Sequence, residues 1–222
     1  MLRQKLPTFF LALFSYPVLC LAQDTAGELS QLPGGEEALE AHRSGLSDVA
    51  ALRLEQLAGI EGLGAQAAEQ ILALRVENLV RSSKYRDALD LLESAATDLR
   101  ADLGFWHGVA LVGLRELVEA RSLLVPIARD PEHPQQVEAA LTLGSALADS
   151  GASDGALDLL SELSESGAGA AAAIGLAAAE LHIAQGSYAA AAGIIDHLLG
   201  LDLQLTDAAS VLRAESLLGI GD

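Results

Sequence analysis

Five histidines, two glycine pairs and a field of carboxylates are the residues whose types could do chemistry in this chain. The histidines are His42, His107, His133, His182 and His197. A helical zinc site needs two ligands four residues apart, with further His or Cys to complete a tetrahedron. No two of these histidines have that spacing, and the single cysteine is Cys20. Glu180 and His182 stand two apart and diverge around a helix. His182 and His197 meet only if one hairpin carries both, and they read as packed or surface residues. Gly62-Leu63-Gly64 and Gly167-Ala168-Gly169 look like fragments of dinucleotide loops. Such loops follow a strand and open a helix, whereas these stretches follow helical patterns and read as turns. There is no Walker pattern, and the scattered serines lack the base partner a nucleophile needs. The sequence predicts no enzyme, no metal and no cofactor.

The elements around these residues are predicted to be helices. Apolar residues make up 51 % of the 222, while aromatics are only 4 %. The apolar share is dominated by Ala and Leu, the strongest apolar helix formers. The β-branched and aromatic runs of strands are missing. The formal charge is −18, from 31 acidic against 13 basic residues. Neutralising phosphates needs clustered Lys and Arg, so nucleic acid is excluded as a partner, and an anionic membrane surface is disfavoured. The acidity serves solubility or a basic partner.

Residues 1–22 read as a secretory signal peptide. Arg3 and Lys5 form a basic start, an apolar stretch runs from Phe9 to Leu21, and Cys20-Leu21-Ala22 is a small-x-small cleavage site. Ser15, Tyr16 and Pro17 interrupt that stretch, which is short for a membrane span. Cleavage would remove Arg3 and Lys5, taking the charge from −18 to −20. The expected location is the periplasm. The alternative is a lipid anchor on Cys20, which Leu19 immediately before it disfavours. Residues 23–35, with Pro33, Gly34 and Gly35, read as a flexible lead-in.

From Glu36 a period of about 35 residues emerges. A turn residue is followed five positions later by Ala, and four after that by a bulky aliphatic. The copies are Gly45 with Ala50 and Leu54, Ser83 with Ala88 and Leu92, and Arg115 with Ala120 and Leu124. Two more are Gly151 with Ala156 and Leu160, and Gly186 with Ala191 and Ile195. Residues four apart share one helix face. A small residue lets two helices approach, and the aliphatic fills the space beside it. The turn glycine accepts the left-handed conformation that ends a helix. Helices are expected over 36–43, 47–58, 65–82, 85–98, 103–114, 117–128, 134–149, 154–164, 169–184, 188–199 and 206–219. The Ala-rich run 167–181 is too short and weakly apolar to span a membrane and reads as an interior helix.

This pattern resembles the tetratricopeptide repeat family, whose period is 34 residues. Leu143-Gly144 stands twelve residues before Ala156 and Gly108 twelve before Ala120. Lys84-Tyr85-Arg86-Asp87-Ala88 and Ser187-Tyr188-Ala189-Ala190-Ala191 look like the family's turn-Tyr-x-x-Ala segment, and Asp130-Pro131 like a closing element. The second-helix aromatic of the family is aliphatic here. The resemblance implies an all-α fold, a right-handed superhelical solenoid of antiparallel helix hairpins with about five units. A degenerate unit covers 36–63 and clearer units cover 64–222, the last incomplete. Gly221 falls 35 residues after Gly186, so the chain is expected to be the front of a longer repeat protein. The rival reading is a terminal cap with Ser210, Arg213 and Ser216 as its polar face.

In this family the first helices line a concave face. Carried onto this chain, that surface holds Glu77, Phe105, Val109, Leu141, Ser145, Leu176, Glu180, Val211 and Glu215. Such a groove suits an extended or helical segment with apolar and basic residues. The function expected is an exported protein–protein interaction scaffold of the cell envelope. The alternatives are the recruiting region of a longer enzyme or secretion component, and a carrier of a small apolar ligand. The sequence leaves the oligomeric state open.

Overall fold

A computed structural model describes residues 26–164, 168–200 and 207–221. The stretch read as a signal peptide, Cys20 and the start of the stretch read as a lead-in lie outside the described residues. Within them the chain is all-helical, with thirteen helices and no strand. These are α1 (Ala26–Leu29), α2 (Gly35–Arg43), α3 (Ser47–Ala58), α4 (Ala65–Arg81), α5 (Tyr85–Glu93), α6 (Thr97–Asp102) and α7 (Gly104–Gly113). They continue with α8 (Leu117–Arg129), α9 (Gln136–Asp149), α10 (Ser153–Ser164), α11 (Ala168–Ala184), α12 (Tyr188–Gly200) and α13 (Asp207–Ile220).

The turns carry the periodicity. Gly45, Ser83, Arg115, Gly151, Gly186 and Gly221 all have positive φ, between 59° and 88°. Their spacings are 38, 32, 36, 35 and 35 residues. At each of the first five, two backbone hydrogen bonds close the preceding helix. At Gly151, for instance, its own N–H donates to Ala148 O at 3.0 Å and Ala152 N–H to Leu147 O at 2.9 Å. The same pair recurs at Gly45, Ser83, Arg115 and Gly186. This is the Schellman closure, which satisfies carbonyls that a helix end would otherwise leave unpaired. Ser83 and Arg115 adopt it without being glycine, so the hydrogen bonds and packing there outweigh the left-handed cost of about 1–2 kcal/mol.

Each of the first five thus separates a first helix from a second one. The first helices are α2, α4, α7, α9, α11 and α13, and the second are α3, α5, α8, α10 and α12. On the second helices Ala50, Ala88, Ala120, Ala156 and Ala191 are fully buried, and Leu54, Leu92, Leu124, Leu160 and Ile195 expose at most 1 %. A small residue twelve positions before that Ala faces them from the first helix. A Cβ on Gly108 would stand 2.5 Å from Leu124 Cγ, and one on Gly144 3.0 Å from Leu160 Cδ2. Ala38, Val76 and Ala179 fill the same position and are fully buried.

The chain divides into two compact units between Leu124 and Val125, inside α8. In the N-terminal unit α2 packs on α3, α3 on α4, α4 on α5 and α5 on α7, and α4 also touches α7. Its core gathers Leu29, Ala38, Leu39, Leu54, Leu57 and Ile71. In the C-terminal unit α9 to α13 pack each on the next, and α11 also touches α9 and α13. Its core includes Ala179, Ala191 and Ile195, with Ile183 and Leu212 against them. The Ala-rich α11 is the interior helix expected, with Ile174, Ala177, Ala178 and Ala179 buried.

Two features differ from the sequence expectation. Part of the stretch read as a flexible lead-in forms α1, and Leu29 is 1 % exposed in the core. A Cβ on Gly35 would fall 1.8 Å from the Leu29 carbonyl oxygen, so the chain packs backbone to backbone there. The helix expected over 85–98 ends at Glu93 instead, and α6 follows. Arg100 braces this break. Its guanidinium donates to the carbonyls of Leu92 (3.0 Å), Glu93 (2.7 Å) and Ala95 (3.2 Å), which supply the C-terminal partners of α5.

Candidate functional site

The residues expected to line a groove fall on two rows of the first helices. Six positions before each left-handed residue stand Glu77, Val109, Ser145, Glu180 and Glu215. Ten before stand Phe105, Leu141, Leu176 and Val211. The structure gives the rows different characters. Phe105, Val109 and Leu141 are buried, so these three contribute packing where open surface was expected. Ser145, Leu176 and Glu180 are half-buried, and Val211 and Glu215 are exposed.

In the N-terminal unit Glu77 belongs to a polar relay across three first helices. Asn78, fully buried on α4, donates from Nδ2 to the Leu74 carbonyl at 2.7 Å. Its Nδ2 also lies 3.1 Å from His42 Nδ1 on α2. Assigning Nδ1 as the acceptor puts the ring proton on Nε2, which faces Glu77 Oε1 at 3.9 Å. The same carboxylate oxygen accepts from Arg81 Nη2 at 2.8 Å. The Arg81 guanidinium in turn lies 5.6 Å from the Trp106 ring centroid on α7, a cation–π distance. Trp106 meets Phe105 edge-on at 4.9 Å. Both aromatics are buried. Glu77 is therefore committed to Arg81, and a basic partner would have to compete for it. The sequence gives no signal for this relay, because His42, Asn78, Arg81 and Trp106 share no motif.

In the C-terminal unit the matching carboxylates lack such partners. Among the described residues no Lys or Arg stands within ion-pair distance of Glu180 or Glu215; Arg213 pairs instead with Asp196 at 2.7 Å. Burial, and secondarily the negative charge of Glu215, push the Glu180 carboxyl above its ordinary value of 4.5. Close by on α11, burial lowers His182 below its ordinary 6.5, and its Nδ1 is buried without a hydrogen-bond partner. His197 is exposed. Ser216, expected on a polar capping face, is fully buried and donates to the Leu212 carbonyl at 2.8 Å.

One open depression lies beside α2, lined by Glu36, Glu37, Glu40, Ala41, Ser44 and Leu46. Arg43 spans its rim, pairing with Glu36 and Glu40. Among the described residues no three His, Cys, Asp or Glu side chains gather as a metal site. No described helix is long and apolar enough to cross a membrane. Comparison of the chain with protein-family models, with curated proteins and with solved structures finds no match.

Proposed function

We propose that the chain is an exported protein–protein interaction scaffold of the cell envelope, acting in the periplasm, whose first-helix faces hold a partner segment. The observation that carries this reading is the repeated register. Six of the eight positive-φ residues described recur at spacings of 32 to 38 residues, five of them followed by a buried Ala and a buried Leu or Ile. A unit of this kind cannot bury its apolar face alone and stacks on its neighbours, which generates extended surfaces suited to binding. The finer architecture proposed is the one the resemblance implies, a tetratricopeptide-like solenoid of about five hairpins. The inference from repeat to binding is by analogy of fold.

Within this reading the half-open row of Ser145, Glu180 and Glu215 receives basic residues of the partner, and Leu176 receives an apolar one. Glu180 contributes most. Its carboxylate is desolvated, so a partner cation there gains more than at a solvated rim. The test is crosslinking capture from cell envelopes with the wild-type chain and a Glu180→Lys/Glu215→Lys variant as baits. One protein enriched by the wild type and lost with the folded variant supports the reading. Identical recovery by both baits overturns it.

A further inference from the structure

His42 on α2 stands between two side chains of α4 that make opposite demands on its ring. On one side Asn78, fully buried, sets its Nδ2 at 3.1 Å and its Oδ1 at 3.4 Å from His42 Nδ1. Asn78 Nδ2 also donates to the Leu74 carbonyl at 2.7 Å. That bond fixes the amide, because a flipped Asn78 would point Oδ1 at another acceptor. On the other side His42 Nε2 lies 3.9 Å from Glu77 Oε1. A neutral ring accepts from Asn78 Nδ2 and carries its proton toward Glu77. A charged ring has no acceptor left. Its Nδ1–H opposes an N–H of Asn78 and must turn to Asn78 Oδ1, while Nε2–H gains an ionic attraction to Glu77. Both states have partners, but different ones.

The oxygen that would receive the new charge is already in use. Glu77 Oε1 accepts from Arg81 Nη2 at 2.8 Å, and the Arg81 guanidinium lies 5.6 Å from the Trp106 ring centroid. Two cations on one carboxylate oxygen repel each other. The side chain of Arg81 is 31 % exposed, against 16 % for His42 and 14 % for Glu77, so Arg81 is the one with room to give way. The other charged groups on α2, and on α3 and α4 packed around it, are engaged elsewhere or solvated. Arg43 pairs with Glu36 and Glu40, Asp48 with Lys84, and Glu55 with Arg75, while Arg53 is exposed. Histidine is the side chain whose change of charge ordinarily falls between about pH 5 and 8.

We propose that His42 is the sensor of a pH switch in the N-terminal unit: its protonation draws Glu77 from Arg81 and reseats the guanidinium over Trp106. The switch consists of contacts among α2, α4 and α7 and operates whether or not the first-helix faces hold a partner.

Trp106 is the single tryptophan of the chain, so its indole N–H gives one side-chain resonance for the whole protein. Two-dimensional NMR of the full chain from about pH 8 to about pH 5 follows it together with the His42 ring. The indole resonance is expected to move in one step, with the same midpoint as the His42 ring. His42→Gln, which cannot gain a charge, loses the step. In Glu77→Gln, a nearly isosteric change, His42 still titrates but the indole no longer follows it. His107 adjoins Trp106 and titrates too; burial, and secondarily the Arg100 charge, lower it below its ordinary 6.5. His107→Gln is therefore expected to leave the His42 step in place. An indole resonance that stays still, a step that survives His42→Gln, or one that vanishes with His107→Gln overturns the proposal. An indole that still follows His42 in Glu77→Gln also overturns it. The Glu77→Gln result decides the matter even where His42→Gln does not fold, and an unchanged helical spectrum confirms that each variant compared is folded.

Discussion

The ring of Tyr188 at the start of α12 occupies the place where a side chain on Gly219 of α13 would stand. A Cβ there would lie 2.3 Å from Tyr188 Cγ. Tyr85 and Gly113 make the same pair, at 2.3 Å from Cε2. In both cases a tyrosine opening a second helix is received by a glycine at the end of the next first helix. We expect Gly113→Ala to cost about 1–3 kcal/mol by overpacking and Tyr85→Ala to be destabilising as well. The double variant should be less destabilised than the sum, because the smaller ring site accepts the new methyl. Urea unfolding of the four proteins measures this coupling, and strict additivity contradicts the contact.

The left-handed turns make a signed prediction. Arg115 and Ser83 hold positive φ with a Cβ, so Arg115→Gly and Ser83→Gly should each stabilise by up to about 1 kcal/mol. For a chain of this size that is a rise of about 2–4 °C in Tm. Gly151→Ala and Gly186→Ala, which put a Cβ into the same conformation, should lower Tm by a similar amount. No atom lies within 4 Å of a Cβ at either glycine, so the loss would report backbone conformation and not a clash. Calorimetry of the four variants checks the signs.

Much of this fold was legible in the sequence because it rests on local rules. Ala and Leu at fixed spacing, and a turn residue ahead of them, marked the buried faces at Ala50, Ala88, Ala120, Ala156 and Ala191. Even the non-glycine turns at Ser83 and Arg115 fell in register. What remained hidden depends on contacts distant in sequence. Arg100 ends α5 from eight residues beyond Leu92, and Asn78 finds His42 thirty-six residues away. The groove residues were legible only in part. Register placed Phe105, Val109 and Leu141 on first helices, but their burial depends on which neighbour covers each one.

Arg100 is expected to be a stability determinant. Its guanidinium donates to the Leu92 and Glu93 carbonyls at the end of α5 and to the Ala95 carbonyl just beyond it. Arg100→Ala should cost about 1–3 kcal/mol. Arg100→Lys should recover little of it, since a point ammonium cannot reproduce the planar fork. Hydrogen exchange should then show faster opening of α5, while α9–α12 remain protected. Unchanged protection of α5 contradicts this role.

Glu180 predicts a pH dependence. Its folded-state value is raised above 4.5, first by burial and then by Glu215. A carboxyl with a raised value favours the fold while protonated, below about its unfolded value, and that contribution is lost as pH rises through the folded value. Glu180→Gln should therefore raise Tm at pH 7 and have little effect below pH 4. Melting curves of the two proteins across that range check the sign, and a destabilised Glu180→Gln at pH 7 contradicts it.

The central claim, a scaffold that holds a partner on its first-helix faces, is tested most directly by photocrosslinking in the living cell. A photoreactive residue at Ser145 or Leu176 is compared with one at Val118 on α8. The account predicts one protein crosslinked from both first-helix positions, absent from the Val118 position, and lost when Glu180→Lys is introduced. A partner captured equally from Val118, or captured unchanged with Glu180→Lys, would contradict it.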